Sequence, residues 1–226
     1  MINNIAILDT ETTHISPKDG NLIEIACILY NVPNKTIIQQ ASTLLPSNDN
    51  AAFKINRISL SALAPPALPL TVSPMIHAID AMIVRSDYIV AHNAEFDKSW
   101  IEQKTILINE IPWICSCYDF KWPDECNGAK KLTDIALSLD VPVVSAHRAL
   151  TDCQLLAQCF SKLTDLEVRL EDAAKPRQVY ISSLPFDKND TNKEHGFQWD
   201  KLVPKKWAKK LTEEEAAALP FTVNKA

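Results

Sequence analysis

Five residues in this chain have types and spacings that suit shared chemistry. Asp9 and Glu11 stand two apart at the end of IAILDTE, an apolar run that reads as a buried strand. Strand side chains alternate, so both carboxylates leave one face while Thr10 leaves the other. Two acids on one face repel unless a cation sits between them, and divalent magnesium or manganese takes oxygen ligands. The competing reading is a polar strand end with two solvated acids. Asp97 falls in the first turn of a predicted helix, where the helix dipole already favours an acid, so alone it is equally a helix-start charge. Asp152 lies amid Leu150, Leu155 and Leu156, and an acid near an apolar helix face is unfavourable to bury without a ligand or ion-pair partner. His147, ahead of the same helix, belongs either to that cluster or to solvent.

Bringing these groups together requires a particular order of elements. LIEIACILYNV and TIIQQASTLL read as two further strands around the turn-prone Val32-Pro33-Asn34-Lys35, which predicts a three-stranded meander. Pro46, Pro65, Pro66, Pro69 and Pro74 predict a loop-rich crossover with one short helix around Ile58–Leu63. Met75, Ile76, Ile79, Met82 and Ile83 then recur at helical intervals, with Pro74 in the first turn. YIVAH reads as a buried strand, followed by a helix from about Glu95 to Lys104. WICSCY is a further strand, KKLTDIALSLD a helix, and HRALTDCQLLAQCFSKLTDLE one long helix. Three strands followed by alternating helix and strand predict an α/β fold, a mixed sheet flanked by helices. From about Ala173 the texture changes. KPRQVYISSLPF is strand-like, DKNDTNKEHG reads as a short helix ending at Gly196, and FQWD and KKW set aromatics among lysines. This predicts one domain over residues 1–174 and a small α+β module over 175–226.

The 226 residues, 46% apolar and 23% charged, have an ordinary globular makeup, which excludes disorder or fibrous structure for most of the chain. No apolar run approaches the roughly 20 residues that span a bilayer, and no basic leader precedes an apolar stretch, so no membrane association and a cytoplasmic location are expected. Cys27, Cys115, Cys117, Cys126, Cys153 and Cys159 are scattered through apolar surroundings, which predicts reduced thiols. Cys115, Cys117 and Cys126 lack the paired spacing and nearby fourth ligand of a zinc site. Charge is unevenly spread: residues 1–174 hold 13 basic and 21 acidic side chains, net −8, and residues 175–226 hold 10 and 7, net +3. Surplus carboxylates suit metal binding and a basic tail suits a polyanion, although solvated faces explain either count.

Taken in order, DTETT at 9–13, HNAEFD at 92–97 and HRALTD at 147–152 resemble the DEDDh family of DnaQ-like 3′→5′ exonucleases, over roughly residues 4–165. The resemblance, which includes proofreading and exonuclease X-type nucleases, implies a ribonuclease H-like fold. It implies a site in which Asp9, Glu11, Asp97 and Asp152 hold two Mg2+ or Mn2+ ions about 3.5–4 Å apart. His147 is then the general base, an imidazole being a good proton acceptor near neutrality. The implied reaction is in-line attack on the last phosphodiester, releasing nucleoside 5′-monophosphates from 3′ ends of single-stranded or frayed DNA. Thr10 offers its backbone to the terminal sugar, with Thr12 beside it. Phe96 presses on the terminal bases or else anchors its helix, and Asn93 contacts the strand or caps that helix. AFKINRIS is similar to the family's Val-His-Gly-Ile-Thr stretch at the terminal-nucleotide pocket, with Asn56 and Arg57 in place of histidine and glycine. The first motif commonly continues into glycine, where this chain has His14.

The tail resembles a small module appended to some nucleases. Trp199 and Trp207 among Lys201, Lys205, Lys206, Lys209 and Lys210 either combine base stacking with phosphate attraction or form a tiny core ringed by lysines. Two alternatives to a DNA exonuclease stay open. One is an exoribonuclease of the ribonuclease T or oligoribonuclease kind, distinguished by contacts to the 2′-hydroxyl. The other is a proofreading or tethering subunit that holds a polymerase or another protein partner through residues 176–226.

Overall fold

Parity along the first strand decides which layer meets the acids. In β1 (Asn4–Thr12), Ile5 and Ile7 pack into one apolar cluster with Cys153, Leu156, Ala157 and Phe160, whereas Ala6 and Leu8 pack into another with Ile79, Met82 and Ile83. Asp9 and Glu11 continue the odd series, so they leave the sheet on the face covered by α6 (Ala149–Lys162). The computed structural model describes residues 1–64, 72–101, 111–144, 147–185 and 188–226. The chain divides into two compact units, Met1–Ala174 and Lys175–Ala226.

In the first unit, β2 (Leu22–Asn31) and β3 (Thr36–Leu44) pair antiparallel with β1 in a meander, while β4 (Tyr88–Ala91) and β5 (Trp113–Cys115) run parallel to it. The sheet order is β3-β2-β1-β4-β5, a mixed ribonuclease H-like sheet. Nine of the ten β2 residues are buried, as a strand covered on both faces requires. Its one charged residue, Glu24, shares the α6 face with Ala26, Ile28 and Tyr30. The helix α3 (Val72–Val84) covers the opposite face. Under α6, the Phe160 ring lies 5.3 Å from Phe120, 5.7 Å from Trp122 and 6.5 Å from Tyr30.

Several elements differ from expectation. The single long helix expected from His147 onward is two, α6 and a later helix over Leu166–Ala173. Leu163 takes extended backbone (φ −83°, ψ 126°) and buries its side chain in the α6-face cluster. Because Leu163, Leu166 and Leu170 all serve that core, the apolar period runs straight across the break. A single turn that was not expected, α1 (Phe53–Asn56), ends in a left-handed Arg57 at φ 57°, and the expected short helix around 58–63 is one turn, α2 (Leu60–Leu63), capped by the Ser59 side chain. WICSCY is a strand only through Cys115, whose carbonyl accepts from the N–H groups of Asp119 and Phe120 as the chain turns back. The helix α4 spans Ala94–Ile101; its expected continuation to Lys104 lies outside the described residues, as do Pro65, Pro66 and Pro69. The helix α5 (Leu132–Ser138) stands where expected, and with it the later helix is α7. All six cysteines are buried and unpaired.

The second unit has a four-stranded antiparallel sheet ordered β7-β8-β6-β9, from β6 (Gln178–Ser182), β7 (Gln198–Trp199), β8 (Trp207–Leu211) and β9 (Val223–Lys225). The helix α8 (Asn189–Glu194) precedes β7, and Gly196 turns between them at φ 74°. Tyr180, Phe197 and Leu211 form its core, with Trp207 and Phe221 packed against them. A further helix, α9 (Glu213–Ala217), starts at a capping box between Thr212 and Glu215. No helix among the described residues is long and apolar enough to cross a membrane.

Candidate active site

The end of β1 and the first turn of α6 meet at their acids. One carboxylate oxygen each from Asp9, Glu11 and Asp152 lies within 4.8 Å of the others, and among the described residues no other group of Asp, Glu, His or Cys side chains comes close enough to share an ion. Asp97 joins from the first turn of α4, buried and accepting a 2.7 Å hydrogen bond from the Thr10 hydroxyl. Its charge is felt at both Asp9 and Glu11. Thr10 thus leaves the opposite face of β1 from its neighbours and braces the fourth acid.

Burial raises all four carboxyls of this cluster, and repulsion between the acids adds to it at Asp9 and Glu11. Asp9 is held well above the usual carboxylate range by burial and by Asp97, Asp152 and Glu11. Glu11 is pushed up to about 8 by burial and the neighbouring acids, with Arg148 opposing. Burial also raises Asp97, against the Thr10 hydrogen bond, and Asp152, against the hydrogen bond from the His147 backbone. An oxygen-only set of crowded, desolvated acids fits a hard divalent cation, which would replace the protons as counter-charge.

His147 is exposed, in left-handed backbone (φ 64°), and its N–H donates to Asp152 Oδ2 at 3.2 Å. It borders a cleft of about 660 Å³ whose other walls are Lys54–Arg57, Val144 and Arg148. Asn56 is buried behind that wall. Its Nδ2 donates to the Thr12 carbonyl at 3.2 Å, and its Oδ1 accepts from the Asn50 amide and the Ile58 N–H. The Thr12 hydroxyl donates to the His14 carbonyl. The loop beyond closes with the Thr13 N–H on the Asn21 carbonyl, and Gly20 is what permits it, since a Cβ there would meet His14 Cβ at 2.6 Å. Asn93 is exposed at φ 81°, with its carbonyl accepting from the Phe96 N–H, and Phe96 is half-buried with its ring 6.1 Å from Trp100. His92, which opens the same motif, is a brace: Nδ1 meets Ser116 Oγ and Nε2 meets the Lys130 carbonyl.

Trp199 and Trp207 lie in the second unit as a cross-strand pair, their rings 5.7 Å apart. Trp199 is 46% exposed, while Trp207 is half-buried and donates through Nε1 to Asn189 Oδ1. Sequence reading passed over Glu24 and Arg148. Arg148 donates twice to Glu24, from Nε at 2.9 Å and from Nη2 at 2.7 Å, and Glu24 faces Glu11 across the β1–β2 ladder. The available signal was a single acid inside an otherwise apolar strand, on the same parity as Ala26 and Ile28.

Residues 6–160 match a family model described as Exonuclease, and residues 178–226 match a domain of unknown function (DUF8626). No curated protein matches the chain. Among solved structures, exonuclease X in complex with 5′-overhanging duplex DNA is similar at a TM-score of 0.51 and 22% identity, covering 75% of this chain and 97% of that one. The zinc-bound E. coli ExoI–ssDNA complex is similar at 0.57 and 15%, covering 76% of this chain and 42% of that one. The nuclease domain of 3′hExo, a DEDDh family member bound to rAMP, is similar at 0.54 and 14%, covering 76% and 94%. At these identities the likeness is one of fold.

Proposed function

The chain belongs to the exonuclease family, and on that premise we propose that it removes nucleoside 5′-monophosphates from the 3′ ends of single-stranded or frayed DNA. The observation that carries this reading is the convergence of Asp9, Glu11 and Asp152 within 4.8 Å, with Asp97 buried beside them and His147 next to the cleft. Asp9, Glu11, Asp97 and Asp152 would hold two divalent ions, Mg2+ or Mn2+. When bound, these supply a water of lowered pKa and neutralise charge at the leaving oxygen. His147 accepts the proton of the attacking water on an imidazole nitrogen as the new P–O bond forms and the bond to the preceding O3′ breaks. Thr10 keeps Asp97 in place through its hydroxyl and its backbone alike, so it serves the site by holding the fourth acid.

The cleft supplies the rest of the recognition. Lys54 and Arg57 set cations where backbone phosphates pass, and exposed Ile55 sets an apolar surface beside them. Thr12, Asn93 and Phe96 border the terminal nucleotide, with Asn56 shaping the wall from behind. In the tail, exposed Trp199 gives a stacking face, Trp207 ties it to the module's own core, and Lys201, Lys205 and Lys206 attract phosphate.

The test is hydrolysis of a 5′-labelled single-stranded DNA oligomer and its RNA counterpart, with Mg2+, with Mn2+ and with chelator, using Asp9→Ala as control. A metal-dependent ladder shrinking from the 3′ end on DNA is expected. An RNA-only ladder moves the protein to the exoribonuclease reading. Binding without any ladder on either strand overturns the enzymatic reading in favour of tethering.

A further inference from the structure

Glu24 is the one charged residue among the ten of β2, and its side chain is 4% exposed. Both of its oxygens are engaged. Oε1 accepts from Arg148 Nη2 at 2.7 Å, and Oε2 accepts from Arg148 Nε at 2.9 Å and from the Ala149 N–H at 3.1 Å. Ala149 opens α6 and Arg148 is its N-cap, so an acid from a central strand satisfies a helix-start N–H that has no partner within the helix. The residue just ahead is His147, held in left-handed backbone with its own N–H on Asp152. Two acids from different elements therefore grip one turn, Asp152 at residue 147 and Glu24 at residues 148 and 149.

The pair also bears on the acids. Glu24 stands in register with Glu11, and the Arg148 charge reaches Glu11. A guanidinium docked on Glu24 by two hydrogen bonds has its direction set. Released from Glu24, it would settle against the next nearest carboxylate and compete there with any divalent ion.

We propose that Glu24 is a positioning residue with two effects: it fixes the His147–Ala149 turn beside Asp152, and it keeps the Arg148 guanidinium on itself rather than on Glu11. The inference rests on the reading of the acids as ion ligands and of His147 as the base.

The test uses the full chain with Glu24→Gln, Arg148→Met and the double variant. Mn2+ affinity is measured by calorimetry, and kcat and KM are measured on the labelled DNA oligomer at saturating Mn2+, alongside thermal melting. Glu24→Gln is expected to weaken Mn2+ binding about tenfold, a usual scale for partners behind a metal ligand. Arg148→Met and the double variant stay within about threefold of the parent, because the competing cation is gone. All three lose kcat by about 10- to 100-fold with KM within about threefold, since the turn loosens whichever partner is removed.

Unchanged affinity and kcat in Glu24→Gln overturn the proposal. So does a weakened affinity that persists in the double variant, or a fall in kcat accompanied by an equal rise in KM and by lost melting cooperativity. If Glu24→Gln does not fold, the double variant decides. Neutral replacement of a buried ion pair is commonly tolerated, and a parental kcat there rejects the positioning role. Absence of hydrolysis by the parent chain rejects the functional reading instead, and leaves the Mn2+ comparison to judge the pair.

Discussion

At the residue scale, Glu11 shows how the acid cluster couples chemistry to stability. Its carboxyl is pushed up to about 8, against about 4.3 in an unfolded chain, and Asp9, Asp97 and Asp152 are raised in the same sense. Between those values the folded, metal-free protein binds more protons than the unfolded one, so its stability falls as pH rises through the window. The melting temperature of metal-free protein is expected to drop by about 4 °C or more from pH 5 to pH 8. Glu11→Gln should remove part of that drop, and saturating Mg2+ should reverse more of it at pH 8 than at pH 5. Melting curves across pH, with and without metal, check the sign. His147→Ala is expected to slow turnover at least about 10²-fold while Mn2+ binding persists, measured by oligomer hydrolysis and calorimetry. The five motif positions were legible only as an ordered set, DTETT, HNAEFD and HRALTD, because each acid or histidine alone reads equally well as a solvated strand end or helix start. Glu24 did not stand out as part of the site, because its partner Arg148 is 124 residues away and only the sheet register brings it beside Glu11.

Among the elements, α6 is at once the largest contributor to the sheet's packing on its face and the carrier of Asp152. Phe160, fully buried against Tyr30, Phe120 and Trp122, anchors its C-terminal half. Phe160→Ala is expected to destabilise by about 3–5 kcal/mol, read as a lower urea midpoint at unchanged slope. Elements with a clear apolar run or period, such as β1, β2, α3 and α5, were readable from the order of their residues alone. The break at Leu163 was not, because a side chain that reaches the same core hides the change of backbone beneath it. The helix α9 went unseen for the opposite reason. EEEAA buries nothing and so has no period; only the capping box from Thr212 to Glu215 marked its start. Thr212→Ala should cost that module about 1 kcal/mol, measurable by denaturant titration followed at Trp207.

Over the whole molecule, charge is unevenly divided. The 1–174 unit carries −8 and the 175–226 unit carries +3, and on the proposed function the second is the unit that would draw in a polyanion. Replacing Lys201, Lys205 and Lys206 together by Gln in the full chain is expected to lower the salt slope of single-strand binding by about 2, since each phosphate contact on single strands contributes about 0.7. Fluorescence titrations at several salt concentrations would give that slope, and an unchanged value would remove the tail from the interface. The change of texture near residue 174 was visible as a shift in charge and aromatic content, whereas the cross-strand pairing of Trp199 with Trp207 was not, because it depends on the hairpin register. The six buried thiols add a practical consequence. Burial holds Cys117 at about 11 and Cys159 at about 12, and raises Cys27, Cys126 and Cys153 as well, so these five offer scarcely any thiolate to an alkylating reagent. Modification must therefore wait for the fold to breathe. Cys153, next to Asp152, is a built-in clock whose slowing on addition of a cation would time how firmly the ion latches α6 to the sheet, with no engineered label.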